Sequence, residues 1–115
     1  MSAQVRSGSM GPATRGVWSA RWRPVEVPED LGDSAPVTGR VRLPVDIAWS
    51  GQSDYDLGVR RQLCRVYEQV LREGTADQVR RYVRASTLLE VWDELVLPEY
   101  VRSAWDPWIV AHQGP

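Results

Sequence analysis

One stretch constrains the rest of the chain more than any other: RVRLPVDIAWS, in which Val41, Leu43, Val45, Ile47 and Trp49 alternate with Arg42, Pro44, Asp46 and Ala48. Such alternation places every second side chain on one face and predicts a β-strand over 41–49 with a single apolar side. A strand has to pair its backbone amides and carbonyls, yet everything after it is helical in pattern. Pro44 offers no amide to a ladder, so the strand belongs at an edge. Two mates are expected for it: residues 16–27, GVWSARWRPVEV, folded back antiparallel, or another polypeptide that accepts it by strand addition.

A chain of 115 residues forms one small domain, because two cores of half that size would each be too small to fold unaided. Hydrophobic residues at 43% and charged residues at 25% match a soluble globular protein. No apolar run approaches the ~18 residues needed to span a bilayer, and the N-terminus lacks the apolar stretch of a secretory signal. A cytoplasmic location is expected. Cys64 and His112 are each the sole residue of their type, which excludes an intrachain disulfide and any Cys- or His-rich metal site. No cofactor is expected. All fourteen basic residues are Arg, with no Lys, Asn or Phe and six Trp, a bias expected of GC-rich codons.

Residues 1–16 are small, polar and free of acids, and read as a disordered tail. Residues 17–40 form an extended or loop segment of uncertain order, with PEDLGDSAP as an acidic loop. The compositional break before residue 41 makes Met10 or Val37 a candidate initiator. A single domain is expected over 41–110, and 111–115 should fray. SGQSDYDLG at 50–58 is turn chemistry, with Asp56 capping a helix at about 57–73 whose apolar face carries Val59, Leu63, Val66, Tyr67, Val70 and Leu71. Gly74 ends that helix, and Thr75-Ala76-Asp77-Gln78 is a capping box that opens a second at 76–84. Ser86 or Thr87 caps a third at 87–96, stopped by Pro98. A fourth follows over 98–109, with Asp106-Pro107 starting a last turn of its own. The fold class is mainly α (α+β): an N-terminal extended segment and one edge strand, then a three-to-four-helix bundle.

Chemistry is sparse. A Cys64–His112 dyad would need its base within hydrogen-bond reach, and His112 lies near the C-terminus. Asp54 and Asp56 flank Tyr55, but in a turn where Asp is expected for backbone reasons. No phosphate loop, HExxH or nucleophile elbow occurs. The chain reads as non-enzymatic.

Charge is polarised along the helices. From Arg60 to Arg84 seven Arg stand against Glu68, Glu73 and Asp77, whereas from Ala85 onward Arg102 stands against five acids. A basic helix, a turn and a second Arg-bearing helix would set Arg60, Arg61, Arg80, Arg81 and Arg84 against phosphates, although Asp77 sits where a recognition helix presents base-reading groups. The blander account is Arg faces that are solvated or paired with the acidic third helix. Core size argues for a partner, because 55–60 helical residues are marginal alone and five indoles, Trp18, Trp22, Trp49, Trp105 and Trp108, exceed what so small an interior should hide. Trp92 should be internal.

From Arg42 to Ile109 the chain, with RVYEQVLREGT, WDELVLP and a closing Trp-rich turn, resembles small actinobacterial proteins encoded beside nucleotidyltransferase toxins of the abortive-infection type. That resemblance implies a compact helical antitoxin that silences a tRNA-modifying toxin by occluding its cleft. Partner contacts are expected from Val45, Ile47, Trp49, Trp105 and Trp108. Complementary charge is expected from Arg61, Arg65 and Arg72 or, better suited to a basic tRNA channel, from the ridge Glu90, Asp93 and Glu94. The alternatives are an Arg-rich nucleic-acid-binding or regulatory module and a structural subunit of a homo-oligomer.

Overall fold

The computed structural model describes residues 24–48 and 52–113. It is mainly helical with a small β edge: strands β1 (Arg40–Arg42) and β2 (Asp54–Asp56), then helices α1 (Arg60–Glu73), α2 (Ala76–Tyr82), α3 (Ala85–Val91), a 3-10 turn at Trp92–Glu94, and α4 (Glu99–Gln113). The expected disordered tail at 1–16 lies outside the described residues, as do Trp18, Trp22 and Trp49.

The strand expected over 41–49 is three residues long and pairs within the chain. β1 and β2 form an antiparallel hairpin with Val41 opposite Tyr55 and Arg42 opposite Asp54. The mate is therefore the segment read as a turn. Past Leu43 the chain bends, because Pro44 cannot extend the ladder and its carbonyl accepts hydrogen bonds from the amides of both Ile47 and Ala48 at 2.9 Å. The bend breaks the alternation: Leu43, Ile47 and Ala48 are buried, whereas Val45 is 84% exposed. Gly39, at φ +85°, supplies the left-handed residue that leads the chain into β1.

Residues 24–37 are a strap laid over α2 and α3. Its Leu31 and Ala35 are buried, and Val25, Val27 and Val37 pack on the core. Its acids do the capping that the helices' own sequences do not complete. Glu26 accepts from the Ala76 amide at 2.7 Å, at the start of α2, and Asp33 accepts from the Ser86 amide at 2.8 Å, at the start of α3. The Gly32 carbonyl accepts from the Ala85 amide at 2.9 Å. The cap of α3 thus comes from across the fold and not from Ser86 or Thr87, and the packed unit begins well before residue 41.

Helix α1 buries Leu63, Val66, Tyr67, Val70 and Leu71 as its periodicity requires, with Cys64 beside them, while Val59 is its exposed N-cap residue. Asp56 sits one turn too early to cap it; its carboxylate accepts from the Gly58 amide at 2.9 Å instead. The capping box is present: the Thr75 hydroxyl accepts from the Gln78 amide, and the Gln78 side chain accepts from the Thr75 amide at 2.9 Å. α2 stops at Tyr82, where Val83 turns extended and inward and the Arg84 amide donates to the Tyr67 hydroxyl at 3.0 Å. The third helix ends at Val91, short of the expected 96, and the tighter turn that follows drives Leu95 inward and leaves Val96 outside. α4 runs through Pro107 to Gln113, so the separate last turn does not occur and 111–113 are helical, while 114 and 115 lie outside the described residues.

Trp92, Trp105 and Trp108 are all buried. Trp105 and Trp108 meet edge to face at 5.5 Å, and His112 stacks on Trp108 at 4.0 Å. The three described indoles are thus housed by the chain itself, whereas Trp18, Trp22 and Trp49, on which the expectation of a companion also rests, lie outside the described residues.

Two outcomes follow for stability. Gly74 has an ordinary φ of −85°, but a Cβ there would lie 2.7 Å from the Val70 carbonyl oxygen, so Gly74→Ala is expected to cost about 1–3 kcal/mol in chemical denaturation. Asp30 and Asp33 are held below the usual carboxylate range, Asp30 by its hydrogen bond with Arg80 and Asp33 by the Ser86 amide. Their contribution is present above the ordinary carboxylate pKa and is lost as pH falls through the lowered folded values. Melting temperature should therefore drop on acidification from pH 5, and Asp30→Asn with Asp33→Asn should flatten that dependence.

Candidate partner-binding surface

Each catalytic candidate of the sequence has a defined setting in the fold. Burial pushes the Cys64 thiol up, so the thiolate is disfavoured, and the His112 ring is occupied with the Trp108 carbonyl at 2.8 Å. Asp54 is paired with Arg42 across the hairpin at 3.0 Å. Among the described residues no group of His, Cys, Asp and Glu is arranged to hold a metal ion, and no helix is long and apolar enough to cross a membrane.

Of the residues expected to touch a partner, Ile47, Trp105 and Trp108 belong to the core, at 0%, 0% and 6% exposure. Both buried indole N–H groups lack an acceptor, so apolar area rather than hydrogen bonding holds these rings. Trp49 lies outside the described residues. Val45 is on the surface.

The Arg set expected to meet phosphates is largely committed to carboxylates. Arg60 grips Glu94 in a fork, with Nε to Oε1 at 2.9 Å, and reaches Glu90 through Nη1 at 3.3 Å. Those bonds raise the Arg60 pKa and lower that of Glu94. Arg80 is held by Asp30 at 2.9 Å and by Asp77 at 2.6 Å, and Arg84 lies 3.9 Å from Asp33. Arg61 and Arg81 are exposed, and no acid among the described residues pairs with either. Arg81, with Arg42, Leu43, Val45, Ala48 and Tyr82, lines a cavity of about 630 Å³ where the hairpin meets α2.

The acidic ridge keeps its place on the surface and gains two members that periodicity missed. Glu90, Asp93 and Glu94 are exposed, and directly after them come Val96, 78% exposed, Glu99, and Tyr100, 57% exposed. The helix expected over 87–96 would have run on to Val96, whereas α3 ends at Val91. The stop signal at Pro98 was legible, but the tightening at Trp92 that turns Val96 outward was not.

This ridge is built on fixed backbone. The Val96 amide donates to Glu68 of α1 at 2.9 Å. Arg102 of α4 donates to the Leu95 carbonyl and lays its guanidinium over Trp92, 5.0 Å from the ring centroid. Arg60 ties the end of α3 to the start of α1. Replacing Arg102 by Ala removes both of its contacts, and is expected to cost about 1–2 kcal/mol of stability and to speed hydrogen exchange at the Leu95 and Val96 amides, measurable by mass spectrometry.

No family model, curated protein or solved structure matches the chain.

Proposed function

We propose that this protein is a non-enzymatic, cytoplasmic protein-binding module, antitoxin-like in role, that docks its acidic ridge into the basic cleft of a nucleotidyltransferase-type toxin. The observation that carries the reading is the exposure of Val96 and Tyr100 within a run of four carboxylates, Glu90, Asp93, Glu94 and Glu99, on backbone pinned by Glu68, Arg102 and Arg60. Tyr is a favoured anchor at interfaces, and a rigid loop loses little entropy on docking. Arg60 neutralises Glu90 and Glu94, and Asp93 and Glu99, which have no cationic partner among the described residues, complement a cleft built for a polyanion. The toxin class comes from the sequence resemblance around WDELVLP, which lies within this ridge. A nucleic-acid module is less well supported, because Arg60, Arg80 and Arg84 already have acidic partners.

The test is co-expression with the product of the neighbouring reading frame. That product alone is expected to arrest growth, and the present chain to restore growth and to co-purify with it. Val96→Ser with Tyr100→Ser should weaken the complex about hundredfold without changing the circular dichroism of the free protein. A harmless neighbour, or growth that stays arrested, removes the antitoxin role. Unchanged affinity of the double variant removes the ridge.

A further inference from the structure

Among the described residues nothing pairs with the outer edge of β1, and the hydrogen-bond register identifies which groups face it. The Leu57 amide donates to the Gly39 carbonyl at 2.8 Å and the Leu43 amide to the Ser53 carbonyl at 2.9 Å. Bonded pairs in an antiparallel ladder alternate, so Gly39, Val41 and Leu43 turn their backbone groups toward β2, whereas Arg40 and Arg42 turn theirs outward. Neither has a backbone hydrogen bond to a described residue outside the hairpin, and both residues are exposed. An open edge with free amides and carbonyls is a template for another strand.

The second observation is the cavity at the end of that edge. Its floor is aliphatic, from Leu43 and Ala48, with Tyr82 at one side and the exposed Val45 at its rim. Its charged lining is entirely basic. Arg42 spends Nε and Nη2 on Asp54 and retains Nη1, and Arg81 has no acidic partner among the described residues.

We propose that the β1 edge and this cavity together accept an extended acidic segment of a protein partner as a third strand. The segment's backbone pairs with Arg40 and Arg42, one of its apolar side chains covers Leu43 and Ala48, and a carboxylate reaches Arg81. A peptide suits this edge better than a nucleic acid does. Arg40 and Arg42 present both donors and acceptors, which a polypeptide backbone satisfies in alternation, whereas a phosphodiester backbone offers acceptors alone. The surface is separate from the acidic ridge, so it stands or falls independently of the ridge's partner.

The test uses the full chain and a fluorescein-labelled octapeptide of alternating Glu and Val, followed by fluorescence anisotropy. Binding is expected, with slowed amide exchange at Arg40 and Arg42 on peptide addition and about tenfold weaker affinity for Arg81→Glu, an exposed position whose exchange leaves the fold intact by circular dichroism. The same peptide N-methylated at alternate residues should not bind, because it can no longer pair with an edge. Failure of the unmodified octapeptide to bind at millimolar concentration overturns the proposal. So does binding that leaves the Arg40 and Arg42 amides unprotected, which would mean charge attraction alone, and so does tighter binding of an oligothymidylate of similar charge.

Discussion

Two helices of seven residues cannot sustain themselves, since a helix that short has more unsatisfied end groups than internal bonds. The structure depends on how α2 and α3 are held. Carboxylates of the strap meet both N-termini, Glu26 at α2 and Asp33 at α3, where the free amides and the helix dipole favour negative charge. Tyr67 of α1 then accepts the Arg84 amide at the junction between the two helices, inside the core. Strap and central helix thereby fix the positions of both short elements, and everything beyond α3 inherits its placement from them.

The same contacts decide which charges remain available. Asp33, which caps α3, also lies beside Arg84, and Asp30 holds Arg80, so these Arg of the basic face apparent in the sequence are met by the fold's own acids. These pairs are exposed and individually weak, and their effect lies in cancelling a field more than in adding stability. Outside those pairs the fold presents charge in two other places: Asp93 and Glu99 along the ridge, and Arg81 beside the hairpin.

Much of the helical half was legible. The arc of Leu63, Val66, Tyr67 and Val70, the Thr75–Gln78 box and the start of α4 at Pro98 are local signals, and local physics decided them. The failures are all cases of tertiary override. Alternation from Val41 to Trp49 reads as a strand, but a proline in the fourth position of that run turns the chain, and Ile47 and Ala48 both enter the interior. β2 was hidden because Asp54-Tyr55-Asp56 has turn-like composition, with a single inward residue, Tyr55, to mark it. The strap was hidden because its acids serve helices some fifty residues away, a pairing that no window along the chain can register. Of the candidate site, the carboxylates of the ridge were readable as the outer face of a helix. Val96 and Tyr100 were not, since their exposure depends on where the helix tightens and restarts.

The buried state of Trp92, Trp105 and Trp108 changes what kind of binding this surface supports. A chain that needed a companion to finish its interior would couple folding to association, and its stability would vary with partner concentration. Here the described core closes without one. For the partner proposed above, association would draw on a finished surface, with little ordering cost at the ridge and charges of fixed position to steer the encounter. Under those conditions ionic strength acts mainly on the rate of association, while the exposed side chains of Val96 and Tyr100, once desolvated against a partner, set the rate of release. The two roles divide along the ridge itself, with carboxylates at its start and apolar anchors at its end.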